Sequence, residues 1–275
     1  MRVVRFEDES GQVLYGQDLG GGEAAVVGAS PLAVFPALPR PTVERVRIAR
    51  LLAPVEPPNI FAIGLNYRAH AAETGAAVPD RPVVFMKPTS SVQHPGGEVR
   101  IPACEFDGPE TDQEAELAVV IGKAARNVSE ADALGYVLGY TCANDVSARW
   151  WQKQGSGGQF IRGKGFDTFC PLGPALVTPG AGDDCIADPQ ALRIVGKVDG
   201  ETLQDAGTAD MIFSVAQLVA LLSQDTTLLP GTVILTGTPP GVGVARDPQV
   251  WLRPGGEAWV EIAGIGVLRN RVVQG

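Results

Sequence analysis

Histidine is scarce in this 275-residue chain, which holds two, His70 and His94. A metal site built mainly from imidazoles is therefore excluded. Cysteine is nearly as sparse: Cys104, Cys142, Cys170 and Cys185 include no CxxC pair. That spacing excludes a zinc knuckle or a dithiol redox motif, and the four read as buried thiols in a reducing compartment. There is no basic excess, with 22 Lys and Arg against 31 Asp and Glu and a net charge of −9. The basic residues are scattered, which sets nucleic acid aside as a partner. No apolar run approaches the ~18 residues of a membrane helix. Arg2, Arg5, Glu7, Asp8 and Glu9 stand where a signal peptide would have its apolar stretch, so a cytoplasmic protein with no membrane partner is expected. A GxSxG nucleophile elbow is missing. The glycines at 20–22 and 241–243 lack the strand, spacing and lysine of a nucleotide loop and read as turns. No repeat or low-complexity tract occurs.

What remains suits a globular protein. Hydrophobic residues make up 45% and charged residues 19%, enough to bury a sizeable core in one large domain, alone or with a small appendage. Residues 3–6 and 13–15 read as two short strands. Residues 30–58 are proline-rich, with Pro31, Pro36, Pro39, Pro41, Pro54, Pro57 and Pro58. Residues 1–55 are accordingly read as a small β-rich domain and linker, and 56–275 as the main domain. In the main domain, 59–64, 82–86, 114–122, 140–144, 232–236 and 258–262 read as strands. Residues 66–73 read as a short helix. A helix from Ser129, with a carboxylate three residues on, is predicted to end near Gly139. Another spans 214–223, apolar at Val215, Leu218, Val219 and Leu222. Strands outnumber helices.

The most informative segment is 114–122, Glu-Ala-Glu-Leu-Ala-Val-Val-Ile-Gly. Side chains alternate along a strand, so Glu114 and Glu116 point to one face, roughly 7 Å apart. At an effective dielectric of ~20, two charges at that distance repel by about 2.4 kcal/mol. The following residues are apolar on both faces. Either the strand starts at the surface with both glutamates wet, or a cation compensates them: basic side chains or a metal. Asp145 ends another apolar strand, where a turn aspartate is also common. Together the three carboxylates make a hard oxygen site suited to Mg²⁺ or Mn²⁺ rather than Zn²⁺.

His70 and Glu73 are three apart and share a helix face. A carboxylate beside an imidazole raises its basicity, although surface Glu–His pairs are common. His94 precedes Pro-Gly-Gly and reads as a turn residue. Lys164, between glycines, reads by itself as an exposed loop lysine. Cys170 has no histidine beside it and reads as a buried thiol rather than a nucleophile.

Several separated motifs stand in one order. They are 63–67 (Ile-Gly-Leu-Asn-Tyr) with His70 and Glu73, 82–88, 114–122, 144–149, 162–174 (Arg-Gly-Lys-Gly-Phe-Asp-Thr-Phe-Cys-Pro-Leu-Gly-Pro), 210–213 and 235–239. Together they resemble the fumarylacetoacetate hydrolase family, through nearly all of 58–275; the N-terminal segment looks like the appendage of longer bacterial members. The resemblance implies an α+β, β-rich fold, a mixed β-sheet roll, usually a homodimer. It implies Mg²⁺ or Mn²⁺ held by Glu114, Glu116 and Asp145. It implies His70 and Glu73 as a base dyad with Lys164 as a cation near substrate, and Arg149, Gln152 and Thr238 as substrate contacts. Two departures stand out. Trp150 and Trp151 follow Arg149 where many members have Asp, and they either narrow the pocket or pack outside it. The loop 154–159 is glycine-rich, a lid or a plain linker.

The implied activity is hydrolysis of a C–C bond in a 1,3-diketo or 2-oxo acid, acylpyruvate-like, such as fumarylpyruvate or a diketo-deoxy sugar acid. The metal would stabilise the enolate, and His70 with Glu73 would activate water. The same parts suit an oxaloacetate-type decarboxylase or a 2-hydroxyhepta-2,4-diene-1,7-dioate isomerase. A non-catalytic ligand-binding protein on the same scaffold is the alternative of another class.

Overall fold

The computed structural model describes residues 1–104 and 110–275. The strands and helices read from the sequence are present to within a few residues, with one exception, but Cys170–Val177, Arg193–Val198, Glu201–Gly207 and Gly266–Gln274 in the main domain, and Pro41–Arg47 and Arg50–Leu52 in the segment read as a linker, are strands that the sequence reading missed. The predicted helix from Ser129 is a capped turn: Ser129 Oγ accepts Asp132 N–H at 3.2 Å and donates to Asp132 Oδ2 at 2.6 Å. One 3₁₀ turn, Ala133–Tyr136, follows. The chain then enters the strand Val137–Asn144, because Val137 pairs with Ile121 in the sheet. Sheet pairing wins over a local helix signal that contains Gly135.

The larger sheet has twelve strands and is mixed. Its centre is Ala115–Ile121, antiparallel to Val137–Asn144 on one side and to Val233–Leu235 on the other. Val233–Leu235 runs parallel to Ile60–Gly64, which leads to the edge strand Val83–Lys87. Beyond Val137–Asn144 lies Cys170–Val177, and the N-terminal strand Arg2–Glu7 pairs with it, so the first strands of the chain continue this sheet. A second sheet of five strands is built on Arg193–Val198, Glu257–Ile262 and Gly266–Gln274.

Every position of Ala115–Ile121, Val137–Asn144 and Cys170–Val177 is buried. These strands are apolar at most positions because both faces are covered, with Glu116, Thr141 and Asn144 as buried polar exceptions. Leu117, Val119 and Ile121 pack with Ile194, Val260 and Ile262 of the second sheet and with the helix Val215–Leu222. Ala118 and Val120 face the other way, onto Ile60, Leu138, Leu172 and Leu176. The helix buries Val215, Leu218, Val219 and Leu222, the positions expected from its spacing, and Ser214 and Gln217 close a capping box at its start. Cys142 and Cys170 are buried, whereas Cys104 and Cys185 are half-buried. No helix among the described residues is long and apolar enough to cross a membrane.

Candidate active site

The register of the two central strands assembles the carboxylates. Glu116 pairs with Ala143 across the ladder, so residues 143 and 145 share its face. Asp145 lies just past the strand end, where its N–H donates to the Glu114 carbonyl at 2.9 Å. Alternation adds Glu114 to the same face. Glu114, Glu116 and Asp145, all buried, therefore present one oxygen each within 4.8 Å of one another. Glu114 precedes the strand proper, which begins at Ala115. The structure brings the three together as the alternation argument requires, and more tightly than the 7 Å spacing of a strand.

Basic side chains provide part of the compensation. Lys164, at the end of the short helix Phe160–Lys164, is buried. Its ammonium donates to Glu114 Oε2 at 2.7 Å, Asp145 Oδ2 at 2.6 Å and Ser147 Oγ at 2.8 Å. Lys87, fully buried at the end of the edge strand, donates to Asp145 Oδ1. Arg149 is buried as well. It binds Asp112 Oδ2 through two nitrogens, at 3.0 and 2.7 Å, Glu114 Oε1 at 2.7 Å and Gln152 Oε1 at 2.9 Å. Burial pushes the Glu114 carboxyl up, but Lys164 and then Arg149 outweigh it and hold it well below the usual carboxylate range. The same two acids, Asp145 and Glu114, keep Lys164 an ammonium despite its burial.

Glu116 is different. It accepts the Gly237 N–H at 2.7 Å and has no salt bridge among the described residues. Burial, then Asp145 and Glu114, push its carboxyl well above the usual range. Gly237 has φ +94°, and a Cβ there would lie 2.6 Å from Asn66 Cβ, so glycine is needed to bring this N–H to Glu116. Three oxygen ligands with one under-compensated carboxylate fit a hard dication such as Mg²⁺ or Mn²⁺.

The contact expected between His70 and Glu73 is present. His70 and Glu73 lie on the helix Arg68–Glu73, with His70 Nδ1 2.9 Å from Glu73 Oε2. Glu73 Oε1 also accepts Gly241 N–H at 2.8 Å, which orients the carboxylate. A carboxylate accepts, so Nδ1 carries the proton, which in the neutral ring leaves the Nε2 lone pair free. His70, Glu114, Arg149, Gln152, Lys164 and Thr238 all line one cavity of about 450 Å³. Its remaining wall is mainly apolar and includes Leu65, Val83, Phe85, Phe160, Val242 and Val244. A larger cleft of about 750 Å³, lined by Arg50, His94, Arg269 and Arg271 among others, contains none of these groups. His94 serves a structural contact there: its Nδ1 accepts Ala53 N–H at 3.0 Å.

Thr238, expected to contact substrate, is already occupied by protein. Its hydroxyl donates to the Ala115 carbonyl at 3.0 Å and accepts from Gln204 Nε2 at 2.7 Å. Trp150 and Trp151 are not among the residues lining the cavity. Trp151 packs instead with Phe166 against the Val146 and Phe169 cluster and donates from Nε1 to the Cys104 carbonyl at 3.0 Å. The glycine-rich stretch begins in a single π-helical turn, Trp151–Gly155. The backbone of Gln152 lies against Gly163, where a Cβ would meet Gln152 N at 2.4 Å. Glycine at 163 thus lets the two segments carrying Gln152 and Lys164 pack backbone to backbone.

Sequence reasoning missed Asp112, Lys87 and Gln204. Asp112 anchors Arg149 and also accepts the N–H groups of Gly243 and Val244 at 2.9 and 3.0 Å. Its polar neighbours gave no cue. Lys87 carried one, since it ends an apolar strand as Asp145 does.

The family description "Fumarylacetoacetate (FAA) hydrolase C-terminal" matches residues 59–273. The human protein named oxaloacetate tautomerase FAHD2A, mitochondrial, is 46% identical over 260 residues, covering 94% of this chain and 79% of its own. A solved structure of an uncharacterised Mycobacterium abscessus protein is 39% identical, with a TM-score of 0.84 and full coverage of both chains. A 2-hydroxyhepta-2,4-diene-1,7-dioate isomerase from Mycobacterium marinum is 36% identical, with a TM-score of 0.82, covering all of this chain and 98% of its own.

Proposed function

The chain belongs to the fumarylacetoacetate hydrolase family, and on that premise we propose that it interconverts tautomers or double-bond isomers of a 2-oxo acid by moving a proton at the carbon next to the oxo group. One observation carries this reading: His70, paired with Glu73, lines the same cavity as Glu114, whose carboxylate belongs to the cluster with Glu116 and Asp145. A positioned base beside a hard-oxygen site is the equipment enolisation needs. The names of the human tautomerase and the mycobacterial isomerase support it over C–C hydrolysis.

Glu114, Glu116 and Asp145 would hold Mg²⁺ or Mn²⁺, which when bound supplies a Lewis acid for the substrate's oxygens. His70 Nε2 takes the proton from the enol oxygen and returns one to the adjacent carbon, or the reverse, so the reaction is balanced without water. Glu73 holds the Nδ1 proton and stabilises the imidazolium while the proton is in transit. Lys164 and Arg149 set a positive field at the anionic end of the substrate. The apolar wall limits water around the reacting carbon.

The test is to incubate the protein with Mg²⁺ or Mn²⁺ and, separately, the enol form of oxaloacetate, an unsaturated 2-oxo diacid and an acylpyruvate, identifying products by NMR. Faster ketonisation or a shifted double bond, with the carbon skeleton intact, is the expected result. Pyruvate and CO₂ from oxaloacetate would instead establish a decarboxylase. Two acids from the acylpyruvate would establish the hydrolase. No change in any of them would revive a ligand-binding role.

A further inference from the structure

Past Leu235 the chain keeps its register with the strand Ala115–Ile121 but changes its bonds. Leu235 faces Ala118, so Thr236, Gly237 and Thr238 stand opposite Leu117, Glu116 and Ala115. Thr236 still bonds as a strand residue, its N–H donating to the Leu117 carbonyl at 3.1 Å. In a regular antiparallel ladder the next bonded pair would be Ala115 with Thr238, and the N–H of Gly237 would turn away from this strand. Neither happens. The Ala115 carbonyl accepts the Thr238 hydroxyl at 3.0 Å, and the Ala115 N–H donates to Gln204 Oε1 at 3.0 Å. The Gly237 N–H donates to Glu116 Oε2 at 2.7 Å.

Gln204 closes this arrangement from the second sheet. It is fully buried on the strand Glu201–Gly207. Its Nε2 donates to Thr238 Oγ1 at 2.7 Å and to the Pro239 carbonyl at 2.9 Å, so both amide protons and the amide oxygen are used. The Pro239 carbonyl can only accept, which fixes the orientation of the amide. Gly196 lies across the ladder from Gln204, and a Cβ there would stand 2.5 Å from Gln204 Oε1. One amide and one hydroxyl thus satisfy the buried backbone groups of Ala115 that a strand would otherwise satisfy. The backbone at 237 is released from the sheet without leaving those groups unpaired. Resting on the metal reading above, we infer that Gln204 is a positioning residue for the metal centre: through Thr238 and Pro239 it holds the turn that brings the Gly237 N–H to Glu116, the ligand carboxylate that no basic side chain holds.

Titration of the substrate-free protein with Mn²⁺, following the free ion by electron paramagnetic resonance, tests this. Gln204→Met keeps the length and removes all three bonds; Thr238→Val removes the hydroxyl. Neither changes the charge, so a shift in Kd reports geometry rather than field. Each should raise the Mn²⁺ Kd about tenfold, the lower end of what losing a partner behind a metal ligand costs. Thr238→Ser, which keeps the hydroxyl, should retain the wild-type Kd. The double variant Gln204→Met/Thr238→Val should also lose about tenfold, because the two side chains act through one bridge. A Gln204→Met protein that melts cooperatively at a lower Tm but binds Mn²⁺ as the wild type does would show a role in folding alone and overturn the inference. Losses that multiply to about a hundredfold in the double variant would overturn the shared bridge. If Gln204→Met does not fold, Thr238→Val decides, and an unchanged Kd there overturns the inference. A wild type that binds no Mn²⁺ removes the metal reading itself.

Discussion

Replacing Glu116 by glutamine separates a cluster balanced by lysines alone from one arranged to hold a dication. The acidic oxygens lie within 4.8 Å of one another, and at an effective dielectric of ~20 two charges at that distance repel by about 3.5 kcal/mol. Glu116 faces two such neighbours, and Lys164 and Lys87 offset only part of this because their contacts are with Glu114 and Asp145. Glutamine keeps the shape and an oxygen for the Gly237 N–H but removes the charge. We expect Glu116→Gln to stabilise the metal-free protein by about 1–3 kcal/mol, the unbalanced remainder of that repulsion. For a chain of this size each kcal/mol corresponds to roughly 2–4 °C in Tm. Metal should reverse the order. A ligand at a hundred times its Kd stabilises the wild type by about 2.7 kcal/mol, whereas the variant, short of one anionic ligand, gains far less. Thermal unfolding in EDTA and in millimolar Mn²⁺, on both proteins, reads the two effects. A variant that melts below wild type in EDTA and shows the same Mn²⁺ shift would refute the reasoning.

The dyad makes a second prediction: His70→Ala lowers proton exchange about 10²- to 10⁴-fold, and Glu73→Gln causes a smaller loss, both read as kcat. Arg149→Met leaves Asp112 and Glu114 buried without their guanidinium and should cost about 3–5 kcal/mol in urea unfolding; a loss under 1 kcal/mol would show that the pair is not structurally needed. Burial pushes the Cys142 and Cys170 thiols up to about 12, so at pH 8 both stay protonated and shielded. A thiol reagent should then modify only Cys104 and Cys185 in the native protein and all four after denaturation, as peptide mapping would show. The edge strand Val83–Lys87 leaves Val83, Val84 and Met86 exposed, which favours the homodimer expected of the family. Sedimentation should give twice the chain mass, and Val84→Lys should lower it.

Much of this protein is legible along the chain because its signals are local. Alternation places Glu114 and Glu116 on one face, a three-residue spacing joins His70 to Glu73, and the apolar positions of 215–222 mark a helix face. None of these depends on distant parts of the chain. The strand-end position of Asp145 brought it into that reading, and the family motifs extended it to Lys164. The predicted helix after Ser129 failed for the complementary reason: its local cap is present, but the long-range pairing of Val137 with Ile121 draws the chain into the sheet.

What only the tertiary structure decided is which charges meet. Asp145 joins Glu116 through the register of two strands. Lys87 and Lys164 reach the same carboxylates from an edge strand and from a helix, and Asp112 secures Arg149 from a segment with no distinguishing pattern. The same holds for Trp151, which packs away from the cavity, and for Lys153, which lines it two residues later. Side-chain periodicity says which way a residue points along its own element. Long-range packing determines what it finds there, and for this cluster the opposing charges come from segments far apart in the sequence.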